Sequence, residues 1–176
     1  MGRLDESHED RSELQLAQSH RDPGWARERL SKIAKIAVSL QDRADKLVAD
    51  FSKHKTWEDK YKEIISLGKS LPGLPEELKT EDALVRGCQS KVWLHVSFDD
   101  LGRMQLRGDS DALLVKGLVA VVLSVYNGAE VKEVVGFQPR FLEQMGFREN
   151  LSPSRANGLV AMIRQIHLFA LVRLSV

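Results

Sequence analysis

The stretch KVWLHVSFDDLGRMQLRGDSDALLVKGLVAVVLSVY, residues 91–126, decides the fold class. At its start the side chains alternate. Val92, Leu94, Val96 and Phe98 point one way, and Lys91, Trp93, His95 and Ser97 the other, which is the period of a strand. Asp99-Asp100-Leu101-Gly102 reads as a hairpin turn. Met104 and Leu106 then alternate with Arg103, Gln105 and Arg107. Such a hairpin has one apolar face, and something must cover it. The cover follows at once. After Gly108-Asp-Ser-Asp111 the chain is apolar nearly all round from Leu113 to Tyr126, the pattern of a buried central helix. Asn127-Gly128 stops it. An antiparallel hairpin packed by helices is α+β.

The flanks are helical. Asp22-Pro23 supplies a cap and a first-turn proline, and Trp25, Leu30, Ile33, Ala37 and Leu40 recur at helical spacing. Leu47, Val48 and Phe51 continue a helical pattern. Thr56-Trp-Glu-Asp59 resembles a capping box and opens a helix to about Lys69, with Tyr61, Ile64, Ile65 and Leu67 as its apolar set. Leu71-Pro-Gly-Leu-Pro75 breaks it, and a loop to Ala83 follows. Beyond the central helix the pattern predicts short helices near Val131 and from Pro139 to Met145. A long last helix opens at Pro153 or Ser154, with Leu159, Met162, Ile163, Ile166 and Phe169 as its stripe. Residues 1–21 are polar and mixed in charge and read as a loose tail.

Composition excludes several classes. The chain has 176 residues, 43% hydrophobic and 29% charged, with a net charge of +1. That is ordinary for a globular protein, and it gives no basic footprint for nucleic acid. The apolar run over residues 113–125 is broken by Lys116 and Gly117 and falls short of the roughly 20 residues that span a membrane. No signal-peptide pattern is visible, and the acidic start, with Asp5, Glu6, Glu9, Asp10 and Glu13, argues against an organelle transit peptide. A cytoplasmic, soluble chain is expected. One cysteine excludes an internal disulfide, and five scattered histidines show no ligand spacing.

That cysteine, Cys88, lies in the loop before the first strand, in LVRGCQSKVWL, residues 84–94. Gly87 relaxes the backbone there, and Arg86 is placed to favour a thiolate. Burial as a small structural residue is the plainer alternative. A cysteine hydrolase needs a base to activate the thiol, and no Cys/His signature is present. A redox switch wants a resolving cysteine, and the chain has none. A sulfur carrier needs only one thiol on a loop that enters another protein's site, so the carrier demands least.

The arrangement Arg86-Gly-Cys-Gln-Ser-Lys-Val-Trp93 resembles the signature of the SufE family. Three further ordered blocks resemble that family. One is Leu106-Arg-Gly-Asp-Ser-Asp-Ala112 running into Val115-Lys-Gly117. Another is Leu151-Ser-Pro-Ser-Arg155 with Gly158 and Ala161-Met-Ile-Arg164. The third is Trp57-Glu-Asp-Lys-Tyr61 with Leu67-Gly68. The resemblance runs from about Leu47 to the C-terminus. It implies an α+β fold with a small antiparallel sheet, shared with IscU-type scaffolds. It implies a sulfur acceptor and carrier, not a stand-alone enzyme. Cys88 would take persulfide sulfur from a cysteine desulfurase (SufS-like or CsdA-like) and pass it to an iron–sulfur scaffold complex. The pyridoxal phosphate would belong to the desulfurase, and the chain itself would carry no cofactor or metal. Arg86, Gly87, Gln89, Ser90, Asp111 and Arg155 would support the loop or meet the partner. Lys91 stands where family members often have glutamine.

The resemblance sets an expected division: residues 1–45 as a polar tail and extra helix, residues 46–176 as the acceptor domain. A chain beginning near Asp42 is then expected to fold. Asp111 reads either as favourable charge at the start of the central helix or as a brace for the loop. Trp93 reads as a half-exposed anchor or as packing under the N-terminal helices. Gly117 reads as a close contact with the sheet. The thiol is expected to have two positions, one tucked against Leu84 and Val85 and one turned outward. Two alternatives stay open: a catalytic cysteine enzyme, and a desulfurase-regulating module in which Cys88 is structural.

Overall fold

The computed structural model describes residues 38–175. The tail expected over residues 1–21 and the helix expected from Asp22 lie, up to Ala37, outside the described residues. Helix α1, Leu40–Ser52, is capped by Ser39, whose side chain accepts from the Asp42 backbone while Asp42 reaches back. This capping box closes two orphan donors reciprocally. Helix α2, Trp57–Ser70, opens as expected, with Thr56 accepting from the Asp59 backbone. The break at Leu71-Pro-Gly-Leu-Pro75 leads through a single 3₁₀ turn, Glu76–Leu78, toward the sheet.

Strands β1, Val92–Phe98, and β2, Met104–Ser110, pair antiparallel, with Val92 opposite Ser110 and Phe98 opposite Met104. The turn is held by Asp99, whose carboxylate accepts from the Leu101 and Arg103 backbones at 3.0 and 2.8 Å. β2 runs further than its alternation suggests. Gly108, Asp109 and Ser110 have no apolar period, yet they stay in the ladder because β1 offers partners that far.

Helix α3, Leu113–Tyr126, is the buried centre, with most of its residues from Gly117 onward out of solvent. α4, Val131–Gly136, α5, Phe141–Gln144, and α6, Phe147–Asn150, are short turns of helix, and α7, Pro153–Leu174, closes the chain. α6 carries no sequence signal of its own. Phe147 is 2% exposed and fixes it by packing against Trp57 and Phe51. On α7, Leu159, Met162, Ile163 and Ile166 are buried as expected, but Phe169 is 37% exposed and Ala170 takes the next inward position. The 3.6-residue period carries the stripe to 170, one residue past the aromatic.

Two glycines set how close the helices lie. A Cβ on Gly117 would sit 2.0 Å from the Ile64 carbonyl oxygen, and one on Gly68 would sit 2.7 Å from the Leu113 carbonyl oxygen. Gly117 therefore meets α2, not the sheet as its sequence position suggests. The close approach to the sheet belongs to Gly108, where a Cβ would meet Val119 at 2.6 Å.

The core also reaches further toward the N-terminus than the family resemblance implies. Leu40 and Ala44 are 0% and 1% exposed, and the Leu40 backbone donates to the Glu133 carboxylate at 2.5 Å. Both residues precede position 46, so a start at Asp42 removes part of the core.

Two outcomes test this packing. Gly117→Ala is expected to cost about 3 kcal/mol, as overpacking against a rigid backbone does, and an unchanged denaturation midpoint would contradict the close crossing. A chain beginning at Asp42 loses the Ser39 cap, about 1 kcal/mol, and the Leu40 side chain, about 2–5 kcal/mol. It should melt at least about 5 °C below a chain beginning at Ser39; equal melting of the two would show that Leu40 contributes nothing.

Candidate functional site

The segment carrying the cysteine is pinned at both ends. Upstream, the chain pairs with β1. The Val85 backbone donates to the Val92 carbonyl and the Leu94 backbone to the Ala83 carbonyl, both at 2.8 Å. Downstream, Lys91 is gripped from the end of β2. Its backbone N–H donates to Asp111 Oδ1 at 3.0 Å, and its carbonyl accepts from the Ser110 hydroxyl at 2.8 Å and the Asp111 backbone at 3.2 Å. Between the pins the chain reverses through Gly87 at φ +90°. That conformation strains any residue with a Cβ.

The reversal turns the Cys88 side chain inward. Its sulfur rests on α7, where a Cβ added to Gly158 would lie only 2.7 Å from Sγ. Cys88 is half-buried and faces a cavity of about 310 Å³. Gln89 and Ser90 complete the loop's side of that cavity. Leu114, Val115 and Leu118 of α3 form an apolar wall. Gly158, Leu159 and Met162 of α7 form the opposite wall, with Ser152, Ser154 and Arg155 at its N-terminal end.

Burial opposes ionisation of the thiol. It pushes the pKa above the ordinary value, and the one cation on the cavity lining among the described residues is Arg155. Arg86, expected to favour a thiolate, instead pairs with Glu81 at 3.2 Å in open solvent. The loop's reversal at Gly87 sends residues 86 and 88 in different directions, so adjacency in sequence brings no charge to the sulfur.

The structure thus brings Cys88, Gln89, Ser90 and Arg155 to one cavity. Gly87 supplies the turn. Asp111 acts as a brace for the loop: its carboxylate holds the Lys91 backbone, and the cap position of α3 falls to Ala112. Leu84 and Val85, expected to shelter the thiol, do not line the cavity, because Val85 is drawn into the core by its pairing with β1. Trp93 is half-buried on the outer face of the sheet, with the Lys79 ammonium 5.5 Å from its ring centre.

The sequence reading missed the two walls. Those from α3 read as plain core, and nothing in the periodicity of an apolar helix says which side is hollow. Gly158 did leave a signal: a glycine inside a helical stripe marks a close approach by some other group. Among the described residues no helix is long and apolar enough to cross a membrane, and no three His, Cys, Asp or Glu side chains converge as metal ligands.

The fold is similar to the solution structure of a hypothetical protein from Thermus thermophilus. The TM-score is 0.64, over 76% of this chain and 97% of that one, at 19% identity. The likeness extends the hairpin-and-helix architecture to a second protein and no further. The four sequence blocks now have places in one structure. They give the crossing of α2 and α3, the thiol loop, the brace at Asp111 and the start of α7. The family model for SufE, described as an Fe-S metabolism associated domain, matches residues 45–170, which hold all four, and the chain belongs to the SufE family.

Proposed function

We propose that the chain is a sulfur acceptor and carrier that serves a cysteine desulfurase and hands sulfur on to iron–sulfur cluster assembly, with Cys88 as the carrying group. The observation that supports this most directly is the seat of the thiol. It sits on a short loop, anchored at both ends, beside a cavity with apolar walls that is larger than a sulfur atom needs.

The transfer is an exchange between sulfur atoms. The Cys88 thiolate attacks the outer sulfur of the persulfide on the desulfurase. A bond forms between Sγ and that sulfur, and the donor's own S–S bond breaks. The donor cysteine leaves as a thiolate and takes up a proton. Delivery repeats the step with an acceptor thiolate attacking the outer sulfur on Cys88. Neither step changes the net oxidation state, so no external oxidant is required. The pyridoxal phosphate that generates the sulfur belongs to the desulfurase.

The cavity weighs against a stand-alone cysteine enzyme. Its lining, among the described residues, contains no histidine and no carboxylate. A thiol whose ionisation is suppressed by burial and that has no base beside it is a poor nucleophile by itself. The partner must therefore draw Cys88 out of its seat, where solvent and the partner's charges lower the cost of the thiolate. The pinned ends confine that motion to residues 86–90. Arg155, exposed at the mouth of the cavity and without an ion pair among the described residues, is free to meet the partner.

Cys88→Ser is expected to abolish sulfur acceptance and to return sulfide release to the rate of the desulfurase alone, while changing stability by about 1 kcal/mol or less. Mass spectrometry of the parent, after incubation with a desulfurase and free cysteine, should show the gain of one sulfur on Cys88. Full stimulation by the serine variant would remove the carrier reading. A second outcome concerns pH. In the free protein the rate of Cys88 alkylation by iodoacetamide should reach half its maximum at a higher pH than that of a free thiol, because only the thiolate reacts and burial raises the pKa. A profile centred below that of a free thiol would mean that the resting thiol is activated.

A further inference from the structure

The contact between Cys88 and α7 is closer than a helix normally permits. A Cβ at position 158 would lie 2.7 Å from the sulfur, inside the distance real Cβ atoms keep, yet 3.7 Å from the Cys88 Cβ, an ordinary contact. The conflict is therefore with the sulfur alone. The Cys88 backbone has no need to move to relieve it, and the two pins at Val85–Val92 and Lys91–Asp111 hold the ends of its loop in place. Rotation about the Cα–Cβ bond of Cys88 is enough, since it carries the sulfur away from α7. Gly158 is itself buried, on the inward face of a long helix, where glycine costs about 1 kcal/mol relative to alanine. The helix gives up that stability at the one position where the thiol lands.

We propose that Gly158 is a positioning residue for the thiol: the missing side chain is the seat of the sulfur, and the size of residue 158 decides whether Cys88 is stowed against α7 or held out toward a partner. The functional half of this inference rests on the carrier reading. The geometric half does not, and the two fail separately. With glycine, the outward position is a minor state that a partner must recruit. With alanine, it becomes the resting state and no partner is needed to reach it.

The test is Gly158→Ala in the full chain, read by iodoacetamide alkylation of Cys88 against pH. If the outward form of the parent is a minor state of roughly 0.1–10%, making it dominant should speed alkylation at pH 7 about tenfold or more. The midpoint of the pH profile should also fall toward that of a free thiol. A merely structural role for Gly158 would alter melting without moving that midpoint. An unchanged rate and midpoint would overturn the proposal. Protection against misfolding comes from a double-mutant comparison. In a Cys88→Ala background, Gly158→Ala meets no sulfur and should raise the melting temperature through helix propensity. In the parent background it should raise it less or lower it. Equal shifts in both backgrounds would show that the residues are not coupled and would also overturn the proposal. Full stimulation by Cys88→Ser would defeat the carrier reading and leave these alkylation results standing.

Discussion

The structure depends on the crossing of α2 and α3 at Gly68 and Gly117. There the backbones touch, because a Cβ on either residue would strike a carbonyl or amide of the other helix. The crossing fixes how deep α3 sits, and α3 organises the rest. One side of it receives the hairpin, with Val119 filling the space that Gly108 leaves. Near its first turns, Leu114, Val115 and Leu118 form a wall of the cavity beside the thiol. The same helix α2 also holds the other wall. The Tyr61 hydroxyl donates to the Asn150 carbonyl at 2.6 Å, at the end of α6 and just before α7 begins. Both sides of the sulfur's seat are thus referred to one helix that contributes no lining residue.

Gly108-Asp-Ser-Asp111 shows how densely such a frame can be written. Gly108 admits Val119. Asp109, 6% exposed, pairs with Lys116 at 3.0 Å and Lys79 at 3.3 Å and accepts from the Leu74 backbone at 3.1 Å. Burial opposes its ionisation, but the hydrogen bond from Lys116 and the backbone N–H groups of Leu74 and Ser110 outweigh it and hold the carboxyl below its usual range. A buried carboxylate so enclosed is costly to strip of its partners, which makes it a clamp between β2, α3 and the segment after α2. Ser110 and Asp111 then grip Lys91. Alternation along the strand lets neighbouring residues face different elements.

Much of the fold was legible because it rests on local physics. The hairpin follows from alternation at Val92 to Phe98 and from Asp99 in the turn. α3 follows from a run that is apolar nearly all round with Asn127-Gly128 at its end, and α2 from Thr56 and Asp59. What was not legible rests on partners distant in sequence. α6 exists because Phe147 has Trp57 to pack on. Gly117 reads as a glycine needing room, but only the structure says that α2 takes it. The site divides the same way. Cys88, Gln89 and Ser90 announce themselves in one motif, whereas Arg86 misleads because a turn at positive φ separates neighbours in space. Asp111 had two readings, and the hydrogen bond to Lys91 chooses between them.

On the proposed function Cys88 is a carrier thiol and faces opposed demands, since its sulfur must be reactive toward one partner and inert toward everything else. Many cysteine sites meet the first demand with a nearby cation or base. Here the one cation on the cavity lining among the described residues, Arg155, lies exposed at its mouth. Burial suppresses the thiolate, Arg86 is turned out to Glu81, and the cavity walls are largely apolar. Selectivity of this kind resides in access. The rate of reaction with any small oxidant or electrophile is scaled down by the fraction of time the sulfur spends outside its seat, and a partner that binds the outward form removes that factor for itself alone. Such a device needs a rigid seat and a short movable segment. The glycine on α7 supplies the first. The pinned loop supplies the second, and its reach is bounded at about 10 Å, the most that the three residue steps from either pin, Val85 or Lys91, to Cys88 can span when fully extended.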